Sequence, residues 1–505
     1  MATSIGAAVR MTWRVWLACA ILALIYLVAR LPALLAMPLF NDEAVYILRA
    51  QVFPALLSDT LSEGKLLQEV FLAALMRLPG DPLILSRLLS IACGLATLGG
   101  LLLLGRALDQ PEAGWLAGLL YAGAPIAALH DRLGLPDSML TSMACFVMLG
   151  SIEFARAPRS TRGRALLIGA LIGLASLVKL PGLFLLCIPV LAVLILPDSW
   201  PERRQRLALL RLAAIVALLC IAILAPTHYG GNERGKTYFT TLGERAALVG
   251  QNLQFVGGWL ASYLPAPLLA LPLASLALAR PVKGADWRPV TFLLAVGLVV
   301  HGSFLLVGTT LYPRYLMPAW PALLLACALS AAQLWRVVKR ARWVGRAICL
   351  VALGATLVWD GFFIARLQSD PAAAPLVALD RRQYLETWTA GYNLPEMLDL
   401  LKRIAIEQGG IILINHNQPR LVHLAPLIYL RDDPRLRFEQ IDLREGAAQA
   451  WLRQRAGQRP TYLLFDDQEI QALDLPHRLP ELRLRRIFEN PLGTMHFFLY
   501  EQPHP

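Results

Sequence analysis

Charge is in short supply in this 505-residue chain: Asp, Glu, Lys and Arg together make up 16%, where a soluble domain carries about 25%. So little charge cannot cover a water-facing surface, which excludes an ordinary soluble fold. Cysteine is also sparse. The seven cysteines, from Cys19 to Cys349, all fall in apolar runs, and no CxxC occurs. That excludes a disulfide framework and a cysteine metal site, and reads as small buried hydrophobes. The polar tail holds neither GxGxxG nor GxxxxGK(S/T), so no nucleotide cradle is expected there. No internal repeat is found. The net charge of +12 lacks the clustering that nucleic acid needs. Its basic residues sit in short loops between apolar runs, which is a membrane-topology pattern.

What the chain has instead is hydrocarbon. Hydrophobic residues make up 57% and the mean hydropathy is +0.54. Windows such as Trp16–Leu35, Ala165–Leu196 and Phe292–Val307 carry almost no charge. Runs of about 18 or more apolar residues cross a bilayer, and do so as helices because no water is there to satisfy the peptide groups. The expected fold is a polytopic α-helical membrane protein with about eleven spans. They are placed near 15–35, 84–105, 112–130, 137–156, 165–179, 182–197, 208–226, 255–279, 289–308, 315–335 and 346–366. The pair around Lys179–Pro181 also reads as a re-entrant hairpin. Trp16–Leu35 exceeds a signal-peptide core and lacks a small-x-small site, so it reads as an uncleaved first span.

Loops holding Arg156, Arg159, Arg162 and Arg164, then Arg203, Arg204, Arg206 and Arg211, then Arg336 to Arg346, are the more basic set. The positive-inside rule puts them and the N-terminus in the cytoplasm. An odd span count then puts the tail outside. Two long loops, 36–83 and 227–254, fall on that outer side. Their stretches Glu43–Leu57 and Leu242–Phe255 read as surface-lying helices. The division expected is a transmembrane domain over 1–366 and an extracytoplasmic α/β domain over 367–505. Strands are expected at Gly410–Asn415, Thr461–Phe465 and Met495–Tyr500, helices at Pro395–Glu407 and Gly446–Arg455.

The polar residues worth singling out lie at the outer span ends. Asn41-Asp42-Glu43-Ala44-Val45-Tyr46 follows the first span. Ser62-Glu63-Gly64-Lys65 sits within the first loop. His130-Asp131-Arg132 and Pro136-Asp137 lie between spans three and four, Pro313-Arg314-Tyr315 opens span ten, and Lys179 stands alone in an apolar run. Each has a bland reading. Asp42 and Asp137 could cap helices, and Lys65, Lys179 and Arg314 could snorkel to headgroups. Together they place carboxylates and cations on one face of the membrane. A carboxylate that takes a proton from an acceptor hydroxyl, with cations that hold a leaving phosphate, suits attack on a lipid-linked sugar.

On these motifs, and on Tyr384–Leu401 with Trp388, Gly391-Tyr392 and Glu396, the chain resembles the GT-C membrane glycosyltransferases. Within them it is similar to glycosyltransferase family 39, the protein O-mannosyltransferases and aminoarabinose transferases. The resemblance implies a GT-C fold and inverting transfer of a pentose or hexose from a polyprenyl-phosphate donor. The acceptor would be a hydroxyl or phosphate on a glycan, lipid or protein. It implies Asp42 as base, with Glu43 and Asp137 as its acidic partners. It implies Lys65, Arg314 and Arg132 as ligands of the donor phosphate, with Tyr46 and Tyr315 lining the substrate cavity. Leu66-Leu67-Gln68 departs from the Pro-rich stretch that follows Gly-Lys in many relatives. The three-lobed sugar-binding domain of the eukaryotic enzymes is missing from the tail. No cofactor is assigned. No compact His/Cys/carboxylate cluster appears, although some relatives are associated with a divalent metal. The competing readings are a lipid-linked sugar transporter or flippase and a non-catalytic lipid-glycan-binding relative. Charges at one face and no paired halves favour the enzyme.

Overall fold

The computed structural model describes residues 13–158, 161–197, 199–222, 242–279, 286–307, 310–337, 344–416, 419–444, 448–493 and 495–503. Among these, seven helices are long and apolar enough to cross a membrane: Trp13–Arg30, Pro82–Ala107, Pro136–Arg156, Glu202–Ala222, Arg288–Leu306, Pro313–Trp335 and Cys349–Ser369. An eighth arises if the bent pair Gly243–Tyr263 and Ala266–Ser275 counts as one span. The protein is therefore an integral membrane protein, with seven or eight candidate spans among the described residues.

The remaining expected spans appear as shorter or broken helices. The stretch 112–130 is two helices, Pro111–Gly123 and Pro125–His130, parted at Ala124. Pro125 removes an amide donor and pushes Ala124 out of the helical region, to φ −50° and ψ 124°. Arg162–Val178 has 17 residues and stops at Lys179, whose backbone is extended. A 3₁₀ turn, Leu180–Leu186, then leads into Cys187–Ile195. The stretch 255–279 is bent as well. The helix Leu242–Tyr263 runs on past the expected amphipathic segment, and the next helix leaves at 101° across Leu264-Pro265. Most of the second outer loop, 227–241, lies outside the described residues.

The chain forms two compact units. The first comprises Met1–Leu34, Ser62–Lys65 and Leu88–Gln368 and holds most of the apolar helices. Within it the helix Pro136–Arg156 packs on Arg162–Val178, on Cys187–Ile195 and on the 3₁₀ turn Pro313–Ala319.

The second unit joins Leu35–Leu61 and Leu66–Arg87 to Ser369–Pro505. Its tail portion is a five-stranded sheet of β1 (Ile411–His416), β2 (Leu436–Ile441), β3 (Thr461–Asp466), β4 (Arg483–Phe488) and β5 (Phe497–Gln502), in the order β2-β1-β3-β5-β4. β1 is parallel to β2 and to β3, and β5 is antiparallel to β3 and β4. The parallel pairs need crossovers, which the helices Leu421–Tyr429 and Ala448–Ala456 supply. The central strand β3 is buried along its whole length, and its Leu463 and Phe465 pack with Ile412, Ile414, Leu452 and Leu475. The helix Leu394–Glu407 buries Leu394, Met397, Leu401 and Ala405, one stripe at helical spacing. In the same unit the helix Asn41–Gln51 packs between Leu66–Leu75 and Leu421–Tyr429.

Candidate active site

Asp42 lies in the first turn of the helix Asn41–Gln51. It is not the cap: the N-cap residue is Phe40, and the Phe40 amide donates to Glu43 Oε2 at 3.0 Å. The Asp42 side chain is half-buried. Glu43 is fully buried, and Arg87, in the first turns of Pro82–Ala107, grips it with both edges of its guanidinium. Nε donates to Oε1 and Nη2 to Oε2, each at 2.9 Å. The same Arg87 donates to the carbonyls of Met37 and Pro38 at 2.9 Å. A carboxylate held this way is committed to its guanidinium. Glu43 is thus the latch that fixes the turn before Asp42. Tyr46, one turn on, is buried at 3% exposure. Arg49 reaches Glu69 at 3.4 Å, and Glu69 also accepts from Thr60. This second latch ties the helix to Leu66–Leu75.

In the first unit, Asp137 sits in the first turn of Pro136–Arg156, behind the N-cap Leu135. Its carboxylate does not cap. Oδ1 accepts from Lys179 Nζ at 2.7 Å, and Oδ2 lies 3.9 Å from Arg314 Nε. Lys179 Nζ stands 3.9 Å from the ring centroid of Tyr315, and the Arg314 guanidinium lies over Tyr312 at 4.6 Å. The charges of Lys179 and Arg314 reach His130, and that of Lys65 reaches Lys179. Lys65 follows Gly64, whose φ of +67° is the left-handed turn that lets the chain break between two helices. Its Nζ bonds Glu63 at 3.1 Å and its side chain stays 17% exposed.

These groups share a local cause. Asp137 follows the break at residues 131–135, Lys179 occupies the break after Val178, and Arg314 lies in a 3₁₀ turn opened by Pro313. Irregular backbone within a bundle of membrane helices persists where it is buried in protein or lines a polar cavity. Two of these breaks bring Lys179 and Arg314 to the Asp137 carboxylate that follows the third, an excess of positive charge suited to an anion.

Arg132 has a different setting. It is fully buried and donates to the carbonyls of Pro32 and Ala33, which fastens the end of the first span. Asp131 is likewise a fastening hub. It accepts from Tyr26 at 3.0 Å, Tyr121 at 3.1 Å and Ser138 at 2.8 Å, with Arg30 at 3.6 Å. Arg87 drew no notice in the sequence because it stands alone in a hydrophobic run 44 residues from its partner. Gly230-Gly231-Asn232-Glu233-Arg234-Gly235-Lys236-Thr237 fits GxxxxGK(S/T). It lies outside the described residues, and a helix, Trp200–Ala222, precedes it where a phosphate loop has a strand. Among the described residues no group of three His, Cys, Asp or Glu side chains could hold a metal ion.

Residues 66–227 match the family model described as dolichyl-phosphate-mannose-protein mannosyltransferase. No curated protein matches the chain. Among solved structures the chain is similar to ArnT from Cupriavidus metallidurans bound to undecaprenyl phosphate, with a TM-score of 0.55 and 18% identity over 98% of each chain. Against the apo state of that protein the TM-score is 0.57 at 17% identity, over 97% of this chain and 98% of that one. The arabinofuranosyltransferase AftD from Mycobacteria gives a TM-score of 0.51 at 17% identity, over 97% of this chain and 40% of that one. At such identities the likeness is one of fold. The chain has the fold of the GT-C membrane glycosyltransferases, and together with the family-model match this makes it similar to family 39.

Proposed function

We propose that the protein is a glycosyltransferase that moves a sugar from a polyprenyl-phosphate donor to an acceptor at the outer face of the membrane. The observation that carries this reading is the Asp137–Lys179–Arg314 cluster, with Lys65 close enough for its charge to be felt. The solved relative that carries undecaprenyl phosphate supports the choice of anion.

In the proposed step Asp42 takes the proton of an acceptor hydroxyl. The acceptor oxygen attacks the anomeric carbon from the side opposite the phosphate. The bond from that carbon to the phosphate oxygen breaks, and its electron pair leaves with the polyprenyl phosphate. Lys65, Lys179 and Arg314 neutralise the charge that develops there, which is where electrostatic stabilisation acts most strongly. Asp137 keeps the two buried cations paired and aimed while the site is empty. Tyr315 and Tyr46 line the cavity, Glu43 holds the Asp42 turn through Arg87, and Arg132 supports the fold beside the site. The sugar is a pentose or hexose, and the acceptor a glycan, lipid or protein group. The N-terminus lies in the cytoplasm and the tail domain outside, in a topology of about eleven spans.

The test uses protein in nanodiscs and a panel of undecaprenyl-phosphate pentoses and hexoses, each labelled in the sugar. One donor is expected to release undecaprenyl phosphate in step with label transfer to an envelope extract. Tight donor binding with no transfer from any member would support the binding or transport reading and sink this one.

A further inference from the structure

The tail domain has no part in the step just proposed, yet it grips the segment that carries Asp42. Residues 39–41 pair with 389–391 as a short antiparallel ladder. The Asn41 amide donates to the Thr389 carbonyl at 3.0 Å, and the Gly391 amide to the Leu39 carbonyl at 3.0 Å, around a bridge between Phe40 and Ala390. The Phe40 ring meets Tyr384 edge-on at 4.9 Å. At the far end of the same helix, Gln51 Nε2 donates to the Ile428 carbonyl at 3.4 Å. The tail side is itself anchored to the sheet. Asn490 Nδ2 donates to the Leu385 carbonyl at 3.0 Å, and Asn393 Nδ2 donates to the Phe488 carbonyl at the end of β4. All these residues belong to one compact unit.

We propose that the segment Tyr384–Gly391 is a positioning strap, through which the tail domain fixes the entry of the helix Asn41–Gln51 and so the placement of Asp42. The proposal rests on the reading of Asp42 as the base. Two physical points support it. Asp42 lies one residue past the last strap hydrogen bond, so any slack in residues 39–41 passes directly to its Cα. Gly391 is also required by the ladder: a Cβ there would come 3.0 Å from the Leu39 carbonyl oxygen and run into the Leu394 side chain. A misplacement of about 1 Å in a reacting group costs up to about a hundredfold in rate.

The strap can be cut at one atom. Asn41 is the first helical residue, where proline is well accepted, and Phe40, at φ −95° and ψ 147°, already has the conformation proline demands of its predecessor. Asn41→Pro removes the amide that donates to Thr389 and leaves the helix intact. Asn41→Ala keeps that amide and is the reference. With the labelled undecaprenyl-phosphate sugar that the wild type turns over, kcat for Asn41→Pro is expected to fall about tenfold below Asn41→Ala. The donor KM and the thermal midpoint should stay the same. Amide exchange across 389–391 should quicken. Gly391→Ala, in the tail and away from the substrate, provides a second cut and should lower kcat with the same unchanged KM. Equal kcat in Asn41→Pro and Asn41→Ala, with Gly391→Ala at the wild-type value, would overturn the strap. Failure of the base reading looks different: Asp42→Asn would then retain full turnover.

Discussion

The Arg87 latch yields a sharp quantitative test. Arg87→Met keeps the aliphatic length and removes the guanidinium. It takes the guanidinium away from the buried Glu43 carboxylate and removes the 2.9 Å donors of the Met37 and Pro38 carbonyls. Both side chains of the pair are fully buried, so solvent screening offers little relief. Removing one partner of a buried ion pair costs about 3–5 kcal/mol. Part of that recovers if Glu43 takes up a proton. The loss falls locally on the turn 37–43, so hydrogen exchange is a suitable assay. Where exchange follows opening equilibria, the Phe40 and Ala44 amides should exchange about 10²- to 10³-fold faster. The double variant Glu43→Leu/Arg87→Met removes that buried carboxylate as well and should regain a good part of the loss. It stays below wild type because the two carbonyls have lost their bonds to Arg87 and the Phe40 amide its bond to Glu43. Unchanged protection at 40–44 in Arg87→Met, or a double variant looser than the single one, would refute the latch.

Two further outcomes follow from the site. Lys179→Ala and Arg314→Ala should each weaken binding of undecaprenyl phosphate by about 10- to 100-fold, the worth of one charge-assisted contact. Isothermal titration in nanodiscs checks this, and an unchanged Kd in both variants would remove the cluster from the phosphate site. Asp131→Ala should leave Tyr26, Tyr121 and Ser138 without their common acceptor. The thermal midpoint should drop by an amount that reflects about 2–4 kcal/mol, and a melting curve identical to wild type would show the hub to be dispensable.

Much of the fold was legible in the sequence because membrane helices announce themselves by hydropathy alone. The spans at 84–105 and 137–156 match Pro82–Ala107 and Pro136–Arg156 to within a few residues. The breaks were harder to read. Pro125 and Pro265 interrupt runs that remain apolar on both sides, so periodicity does not mark where the chain turns, whereas the break at Lys179 falls where the expected spans 165–179 and 182–197 divide. In the tail the buried strands β1, β3 and β5 were visible as hydrophobic runs. β2 (Leu-Arg-Phe-Glu-Gln-Ile) and β4 (Arg-Leu-Arg-Arg-Ile-Phe) were missed, since both lie at the sheet's edges, where charged side chains are kept. Asp42, Glu43, Asp137 and Arg314 stood out as charges in apolar surroundings. Lys179 stood out as well, though not its pairing, and Arg87 drew no notice: both are single cations in hydrophobic runs, and only the fold shows that each meets a carboxylate far away in sequence. The strap was invisible for another reason, since backbone groups carry it and any sequence supplies those.

The most direct test of the whole account is the turnover of Asp42→Asn in nanodiscs, measured beside its affinity for undecaprenyl phosphate. Asparagine keeps the shape and cannot take the acceptor's proton, which general-base catalysis values at about 10²- to 10⁴-fold in rate. A kcat lower by that factor is expected, with undecaprenyl phosphate bound as tightly as by the wild type. Undiminished sugar transfer by Asp42→Asn would contradict it.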